Sequence, residues 1–139
     1  MNVWQIETAI KPELADPAGK GILADAREAG FSSLTDVRVV RVFLLQADFD
    51  RANAERVAAN LFADPVTDLW TIGEPISKKL AGRWNAITIT RKPGVMDPVE
   101  ESSLKALRDL GLRPRAVRAG RKVLYAGDAS PQLEKWARK

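Results

Sequence analysis

The sequence predicts an α+β fold, and three observations support this class. Short stretches in which apolar and polar residues alternate are typical of half-buried strands. Between them lie stretches in which apolar residues recur every three or four positions, as in helices that cover one face of a sheet. The whole series of patterns then occurs a second time along the 139 residues. A composition that is 45% apolar and 29% charged suits one ordinary folded domain or two very small ones.

The internal repeat is the dominant feature of the chain. Residues 11–31 align without a gap with residues 92–112, and both segments place a Lys-Pro pair, an Asp-Pro pair and a glycine at equivalent positions. Further on, one deletion brings Arg41 onto Arg121. Most of the shared residues shape the backbone rather than carry chemistry. We therefore predict two β-α-β(β)-α-β repeats, each with helices packed on a small antiparallel sheet.

The predicted repeats occupy residues 1–73 and 84–139, with a linker at residues 74–83. The linker has no convincing helix or strand period and contains glycine and proline. The second repeat stops at Lys139, opposite Asn60 of the first, before any closing strand. Because such a strand would complete the edge of the sheet, we expect the chain to be a piece of a longer polypeptide.

The first repeat begins with a strand and a capped helix. Four residues of the strand alternate with neighbours on the other face: Trp4, Ile6, Thr8 and Ile10. Asp16 suits the N-cap of the helix because its carboxylate can accept a hydrogen bond from a free backbone N–H, and Pro17 suits the first helical position. Gly30 suits the helix end, where a left-handed residue is common.

The segment 36–50 is predicted to be a strand that is interrupted near Val40 and Arg41. It is rich in Val, Leu and Phe but long for one strand, so we expect a bend, a bulge or a tight hairpin. Gly120 marks the equivalent place in the second repeat.

A second helix and a closing strand complete the first repeat. Asp50 suits the N-cap, Pro65 ends the helix, and residues 66–72 form the strand. The apolar face of this helix comprises Ala54, Val57, Ala58 and Leu61.

The second repeat is predicted to use the same devices. Asp97 and Pro98 start its first helix, and Glu100 is placed to complete a capping box. The buried side of this helix comprises Leu104, Leu107 and Leu110, and Gly111 ends it. Trp136 and Ala137 take buried places in a final helix. We expect the four tryptophans to pack in the core or between repeats: Trp4, Trp70, Trp84 and Trp136.

The composition excludes several kinds of site. The chain has no cysteine, which excludes disulfides and thiolate metal ligands. It has no histidine, which removes the usual general base and both Ser-His-Asp and Cys-His catalysis. No apolar run approaches the ~20 residues that span a bilayer, and the N-terminus has no signal-peptide pattern. We expect a cytoplasmic protein.

The positive charge of the chain is concentrated in its second half. Residues 84–139 hold 12 basic and 6 acidic side chains, whereas residues 1–83 hold 10 and 12. A concentration of basic side chains such as this can bind phosphates or an acidic partner surface, although a solvated strand face is the simpler interpretation. The candidate partner-docking residues are Arg115, Arg118, Arg121 and Lys122.

Residues 90–112, followed by the Ala-Val-Arg segment at 116–118, resemble the PurS family, the small subunit of phosphoribosylformylglycinamidine (FGAM) synthase. The first repeat resembles the same family over its full length, although it lacks the glycine usual before the basic residue at Arg41. Two PurS-like units in one chain are similar to the N-terminal domain of large single-chain synthases. Since that domain is similar to a PurS dimer, the resemblance implies a pseudo-dimer.

The resemblance implies a scaffold without catalytic, cofactor-binding or metal-binding residues of its own. The family's enzyme is an ATP- and glutamine-dependent ligase of de novo purine biosynthesis, which makes FGAM from formylglycinamide ribonucleotide. ATP and Mg belong to its synthetase portion, and glutamine hydrolysis belongs to its glutaminase portion. The PurS-like segment is expected to bridge these two partners, in cis or in trans, and to support ammonia channelling.

Two other functions remain open from the sequence. A basic α+β module could bind nucleic acid, in which case its affinity would fall steeply with salt. Only Tyr125 accompanies the basic stretch as a stacking residue, which is poor support for single-strand recognition. A ferredoxin-like regulatory module would bind a small effector between the repeats and gain thermal stability from it.

Overall fold

The computed structural model describes residues 2–80, 82–90, 98–112, 114–127 and 131–137. Within them the strands are β1 (Asn2–Ile10), β2 (Asp36–Ala47), β3 (Asp68–Ile72), β4 (Asn85–Thr90) and β5 (Ala116–Ala126). The α-helices are α1 (Pro17–Glu28), α2 (Arg51–Val57), α3 (Pro98–Asp109) and α4 (Pro131–Ala137). A π-helical turn, Ala58–Phe62, extends α2, and a 3-10 helix, Ile76–Lys79, follows β3. No helix in these ranges has the length and apolar character to cross a membrane.

The strands form one antiparallel sheet in the order β3-β1-β2-β5-β4. The central strands β2 and β5 pair from Asp36 opposite Ala126 to Gln46 opposite Ala116. The α+β class is therefore confirmed. The prediction of a separate small sheet for each repeat is wrong, because this long central pairing joins the strands of both halves into a single sheet.

Strand β2 is unbroken, so the predicted interruption near Val40 and Arg41 is wrong. Its register with β1 and with β5 advances one residue at a time, which leaves no extra residue for a bulge. Gly120 likewise pairs regularly, with Val42 on one side and Thr90 on the other. The strand can be long because β5 pairs with it from Asp36 to Gln46 and β1 pairs with it from Arg41 to Ala47.

Both helix caps predicted in the first half are present. The Asp16 carboxylate accepts a hydrogen bond from the backbone N–H of Gly19 at 3.2 Å, and Pro17 occupies the first helical position. The Asp50 carboxylate accepts from the N–H of Asn53 at 3.0 Å. Both caps are local in sequence, which is why the residue types alone identified them.

The predicted apolar face of α2 packs on the core, and Phe62 extends it. Leu61 is half-buried against the cluster, whereas Phe62 is buried, and its ring stacks on Phe43 at 4.1 Å between centroids. The reason is the π-helical turn, in which the N–H of Ala63 bonds to the carbonyl of Ala58, five residues back. This wider turn rotates the following side chains relative to α-helical spacing.

Helix α3 follows its predicted pattern except at the end. Leu107 is buried and Leu104 is half-buried, but Leu110 is 55% exposed. The helix ends at Asp109, so Leu110 leaves the apolar stripe and Leu112 packs against the core instead. The predicted N-cap of this helix, Asp97, lies outside the described residues.

The predicted linker packs against one face of the sheet. Ile76 and Leu80 are buried there with Ala9, Val40 and Leu124. This side of the sheet is the linker face. Because β1 also contributes to the opposite side, it is buried on both faces over its second half rather than half-buried as its alternation predicted.

The α-helices pack on the opposite side, the helix face, around two clusters of apolar residues. One cluster joins α2 and α3 over Phe43 and Leu45, and the other joins α1 and α4 over Val37 and Val123. Each cluster contains residues from both halves of the chain. The halves therefore complete each other's cores.

The tryptophans lie in or beside these apolar clusters, as predicted. Trp4 and Trp70 pack against the cluster of α2 and α3, and Trp136 packs against that of α1 and α4. Trp84 packs on the linker face. Trp136 also contacts Phe31, at 5.8 Å between ring centroids, so it links α4 to the end of α1.

Candidate partner-docking surface

The four basic residues predicted to dock a partner lie on or beside β5, but not on one face. Side chains alternate along a strand, so Arg118 and Lys122 point to the linker face and Arg121 points to the helix face. Arg115 precedes the strand, and its backbone N–H donates to the Gln46 carbonyl at 2.7 Å. The fold thus brings Arg118 and Lys122 to one side and separates Arg121 from them. They do not form one continuous basic track.

Lys122 is engaged in a buried ion pair. Its ammonium donates to Oε2 of Glu7 at 2.6 Å, and the two side chains are 17% and 1% exposed. The amide of Gln5 donates to the same oxygen at 2.9 Å, and the N–H of Ile76 donates to Oε1 at 3.1 Å. A buried carboxylate requires such donors. Glu7 therefore ties together both halves of the chain and the predicted linker.

The linker face also has an exposed part, which the predicted linker does not cover. Val3 and Leu44 are 65% and 40% exposed. Leu44 lies directly between Gln5 on β1 and Arg118 on β5, both of which are also exposed. Apolar side chains next to an exposed cation suit a partner surface that is acidic and partly apolar.

Arg121 has a different environment on the helix face. It lies directly opposite Arg41 at the centre of the sheet, and both residues are exposed. Neither guanidinium has a hydrogen bond or an ion pair to any residue that the structure describes. The two cations therefore lie side by side, and none of the acidic side chains in the described part of the chain forms an ion pair with either.

Glu7 is the important residue that the sequence did not identify. Its place in an alternating strand puts it on the face opposite Ile6, which predicts a solvated carboxylate. Its cation lies 115 residues away. Only the pairing of β2 with β5 and the position of the linker bring Lys122 and Ile76 to it, and no local pattern encodes either.

The described residues contain no group of three or more acidic side chains arranged to hold a metal ion.

Comparison with known proteins assigns the chain to a family. The family model of PurS, described as phosphoribosylformylglycinamidine (FGAM) synthase, matches residues 3–73, slightly more than half of the chain. This chain belongs to the PurS family. The family's enzyme acts in purine biosynthesis, and membership implies association with the FGAM synthase complex. The match begins in β1 and ends just after β3, so it covers the first half of this PurS-family chain.

One solved structure is similar to this PurS-family chain in part. It is B. subtilis PurS in a C2 crystal form, with 16% sequence identity and a TM-score of 0.49. The similarity covers 52% of this chain and 95% of that one. No curated protein sequence matches the chain.

Proposed function

We propose that this chain is a non-catalytic scaffold of FGAM synthase, which bridges the synthetase and glutaminase portions and supports ammonia channelling. The family match over residues 3–73 is the observation that carries the proposal. Ammonia that escapes into water near neutral pH is protonated and no longer attacks as a nucleophile. A docked, water-shielding assembly keeps it reactive, so a scaffold without catalytic groups can control turnover.

The proposal includes a second PurS-like unit in residues 84–139, which makes the chain a pseudo-dimer. The order β4-α3-β5-α4 repeats the order β1-α1-β2-α2. Ile6 lies opposite Phe43 in the pair β1–β2, and Ile87 lies opposite Val123 in the pair β4–β5. Since Ile6 aligns with Ile87 and Phe43 aligns with Val123, the two strand pairs have the same register. Arg41 lies opposite its aligned counterpart Arg121, as expected if a local two-fold axis passes between them. Residues 74–83 connect the two units.

Docking is assigned to the exposed part of the linker face. Arg118 supplies an exposed cation there, and Leu44 and Val3 supply apolar contact. Arg115 extends the basic surface at the start of β5. Lys122 supports this surface indirectly, because its ammonium holds Glu7 and thereby the neighbouring covered part of the face. The partner surface that fits is acidic and partly apolar.

Charge reversal tests the docking role in an FGAM synthase that contains this chain. We expect Arg118→Glu to lower the glutamine-dependent rate of FGAM formation about tenfold, corresponding to about 1.4 kcal/mol of lost docking. The rate with added ammonia stays unchanged, because ammonia in solution bypasses transfer between the two portions. Arg121→Glu reverses a charge on the opposite face and is measured as a separate variant, so that an effect on docking can be assigned to one face or the other.

The matched control is Lys20→Glu, which reverses an exposed charge on α1, away from the linker face. It leaves both rates unchanged. Equal loss of the glutamine-dependent and ammonia-dependent rates in Arg118→Glu would refute the scaffold role, because it would place Arg118 in the synthetase reaction itself.

A further inference from the structure

The centre of the helix face carries two arginines that repel each other. Arg41 on β2 and Arg121 on β5 are directly opposite across an antiparallel pair, which places their Cβ atoms about 5 Å apart. Like charges in this arrangement destabilise a sheet. Since neither guanidinium has a partner among the described residues, the folded chain retains this repulsion.

The carboxylates that flank the pair are committed to backbone groups. Asp16 accepts from the N–H of Val39 at 2.8 Å, two residues from Arg41 along β2. Glu100 accepts from the N–H of Ala119 at 2.9 Å, two residues from Arg121 along β5. Each carboxylate moderates the local positive potential, but neither forms an ion pair with its neighbouring arginine.

Arg41 also lines a cavity between the end of α2 and helix α3. The cavity has a volume of about 400 Å³, within the range of small-molecule sites. The serines of α3, Ser102 and Ser103, line it beside the arginine, and the stacked rings of Phe43 and Phe62 form an apolar wall. The cavity thus offers a cation, hydroxyl groups and an aromatic surface in one place.

A second cavity, of about 510 Å³, lies on the other side of Arg41 but is lined by acidic residues. Asp64 and Asp68 contribute to its wall together with Asp16. Their negative charge disfavours an anion there. An anion that contacts Arg41 is therefore directed to the cavity of the two serines.

We propose that Arg41, Arg121 and the serine-lined cavity bind a small phosphate monoester. A phosphate monoester carries a charge of about −1.5 to −2 at neutral pH, which matches two guanidinium groups, whereas a carboxylate would neutralise only one. The planar forks of arginine suit phosphate oxygens, and the serine hydroxyls add donors. The remainder of the ligand, of sugar size, contacts Phe43 and Phe62. This site does not depend on the scaffold role, and the chain alone suffices to test it.

The test is a titration of the chain with ribose 5-phosphate at low ionic strength, in which calorimetry measures binding. The midpoint of thermal unfolding, Tm, is measured with and without the ligand. We expect ribose 5-phosphate to raise the Tm of the chain, and ribose to leave it unchanged. Arg41→Gln or Arg121→Gln should weaken binding at least about tenfold, the effect of losing about 1.4 kcal/mol. Inorganic phosphate should bind more weakly than ribose 5-phosphate; equal affinity would contradict the role of the cavity.

The Tm of the same variants without ligand is a second readout, and it is expected to rise although ligand binding weakens. Without ligand, Arg41→Gln and Arg121→Gln should raise the Tm, because each removes the repulsion. The matched control is Arg118→Gln, which removes an exposed positive charge from the other face of β5 and should leave ribose 5-phosphate binding unchanged. Absence of binding by the unaltered chain, equal loss in Arg118→Gln, or a lower Tm in the ligand-free Arg41 and Arg121 variants would overturn the proposal.

Discussion

Helices α1 and α3 meet the central strands in two different ways. In α1, Gly19 lies against the β2 backbone, where an added Cβ would be 2.1 Å from the carbonyl oxygen of Val37. The residue aligned with Gly19 in α3 is Glu100, whose long side chain instead reaches the N–H of Ala119 on β5. The residue of β2 that aligns with Ala119 is Val39, and its N–H donates to the carboxylate of Asp16, the N-cap of α1, at 2.8 Å. The side chain of Asp16 is shorter than that of Glu100.

This difference shows which requirement the two halves share. Within the described residues, β1 pairs with β2 as far as Arg41, and β4 pairs with β5 from Gly120 onward. The N–H groups of Val39 and Ala119 lie next to the last of these described pairings, and a backbone donor that is shielded from water needs an acceptor. A carboxylate supplies it in both halves, but from different positions in the helix. What is common is the backbone requirement, and the side chain that meets it varies.

The largest expected difference concerns the covered and exposed parts of the linker face. Leu124 and Leu44 are aligned positions, yet Leu124 is 2% exposed beneath the linker and Leu44 is 40% exposed. We expect Leu124→Ala to lower the free energy of unfolding by about 4 kcal/mol, because it opens a cavity in a packed core. Leu44→Ala should cost under about 1 kcal/mol. Urea unfolding measures both, and equal losses would mean that the linker does not protect the sheet.

The ion pair that joins the halves gives the next largest effect. Glu7→Gln keeps the shape of the side chain but leaves the ammonium of Lys122 without its counter-charge, so we expect a loss of about 3 kcal/mol. Adding Lys122→Met to this variant should restore part of the stability, as removal of both charges avoids an unpaired buried ion. A double variant that loses the sum of the two single effects would contradict the pairing.

The close contact of α1 with β2 predicts an intermediate effect. Gly19→Ala should lower the free energy of unfolding by about 2 kcal/mol, since the new methyl group pushes the helix away from the backbone of Val37. Gly21→Ala in the same helix is the control. It has no neighbour within 4 Å and should gain about 0.5–1 kcal/mol from helix propensity. A stabilising Gly19→Ala would disprove the close contact.

The smallest effect concerns the carboxylate of α3. Glu100→Ala should cost about 1 kcal/mol, the loss of one hydrogen bond to the N–H of Ala119 from a half-buried side chain. Hydrogen exchange provides the specific readout, because the Ala119 amide should lose protection while the Val39 amide keeps it. Unchanged protection at Ala119 would show that another group serves as its acceptor.

The parts of the fold that depend on neighbouring residues could be predicted from the sequence. The Asp16-Pro17 start of α1 and the Asp50 cap of α2 are encoded within a few positions, and both are present. The alternation in β1 identified a strand, although not the burial of its second face. The burial of Phe62 in addition to the predicted face could not be predicted, because a single π-helical turn changes the position of the following side chains without any mark in the composition.

The parts that depend on distant pairing could not be predicted. Residues 74–83 show no helix or strand period because a short 3-10 helix anchors them. The burial of their apolar side chains can be recognised only when the position of the sheet beneath them is known. The separation of Arg121 from Arg118 and Lys122 follows from strand alternation only because β5 continues through Gly120, where an interruption was predicted. The ion pair of Lys122 depends in addition on the position of Glu7. The basic cluster was visible in the sequence, whereas its division between two faces was not.

We propose above all that the chain links the catalytic portions of FGAM synthase and does not itself catalyse a step of the reaction. The most direct measurement is the rate of FGAM formation by the synthase with and without this chain, using glutamine and then ammonia as the nitrogen source. We predict that omission of the chain abolishes most of the glutamine-dependent rate and preserves the ammonia-dependent rate. Equal loss of both rates, or FGAM formation by the purified chain alone, would contradict the claim.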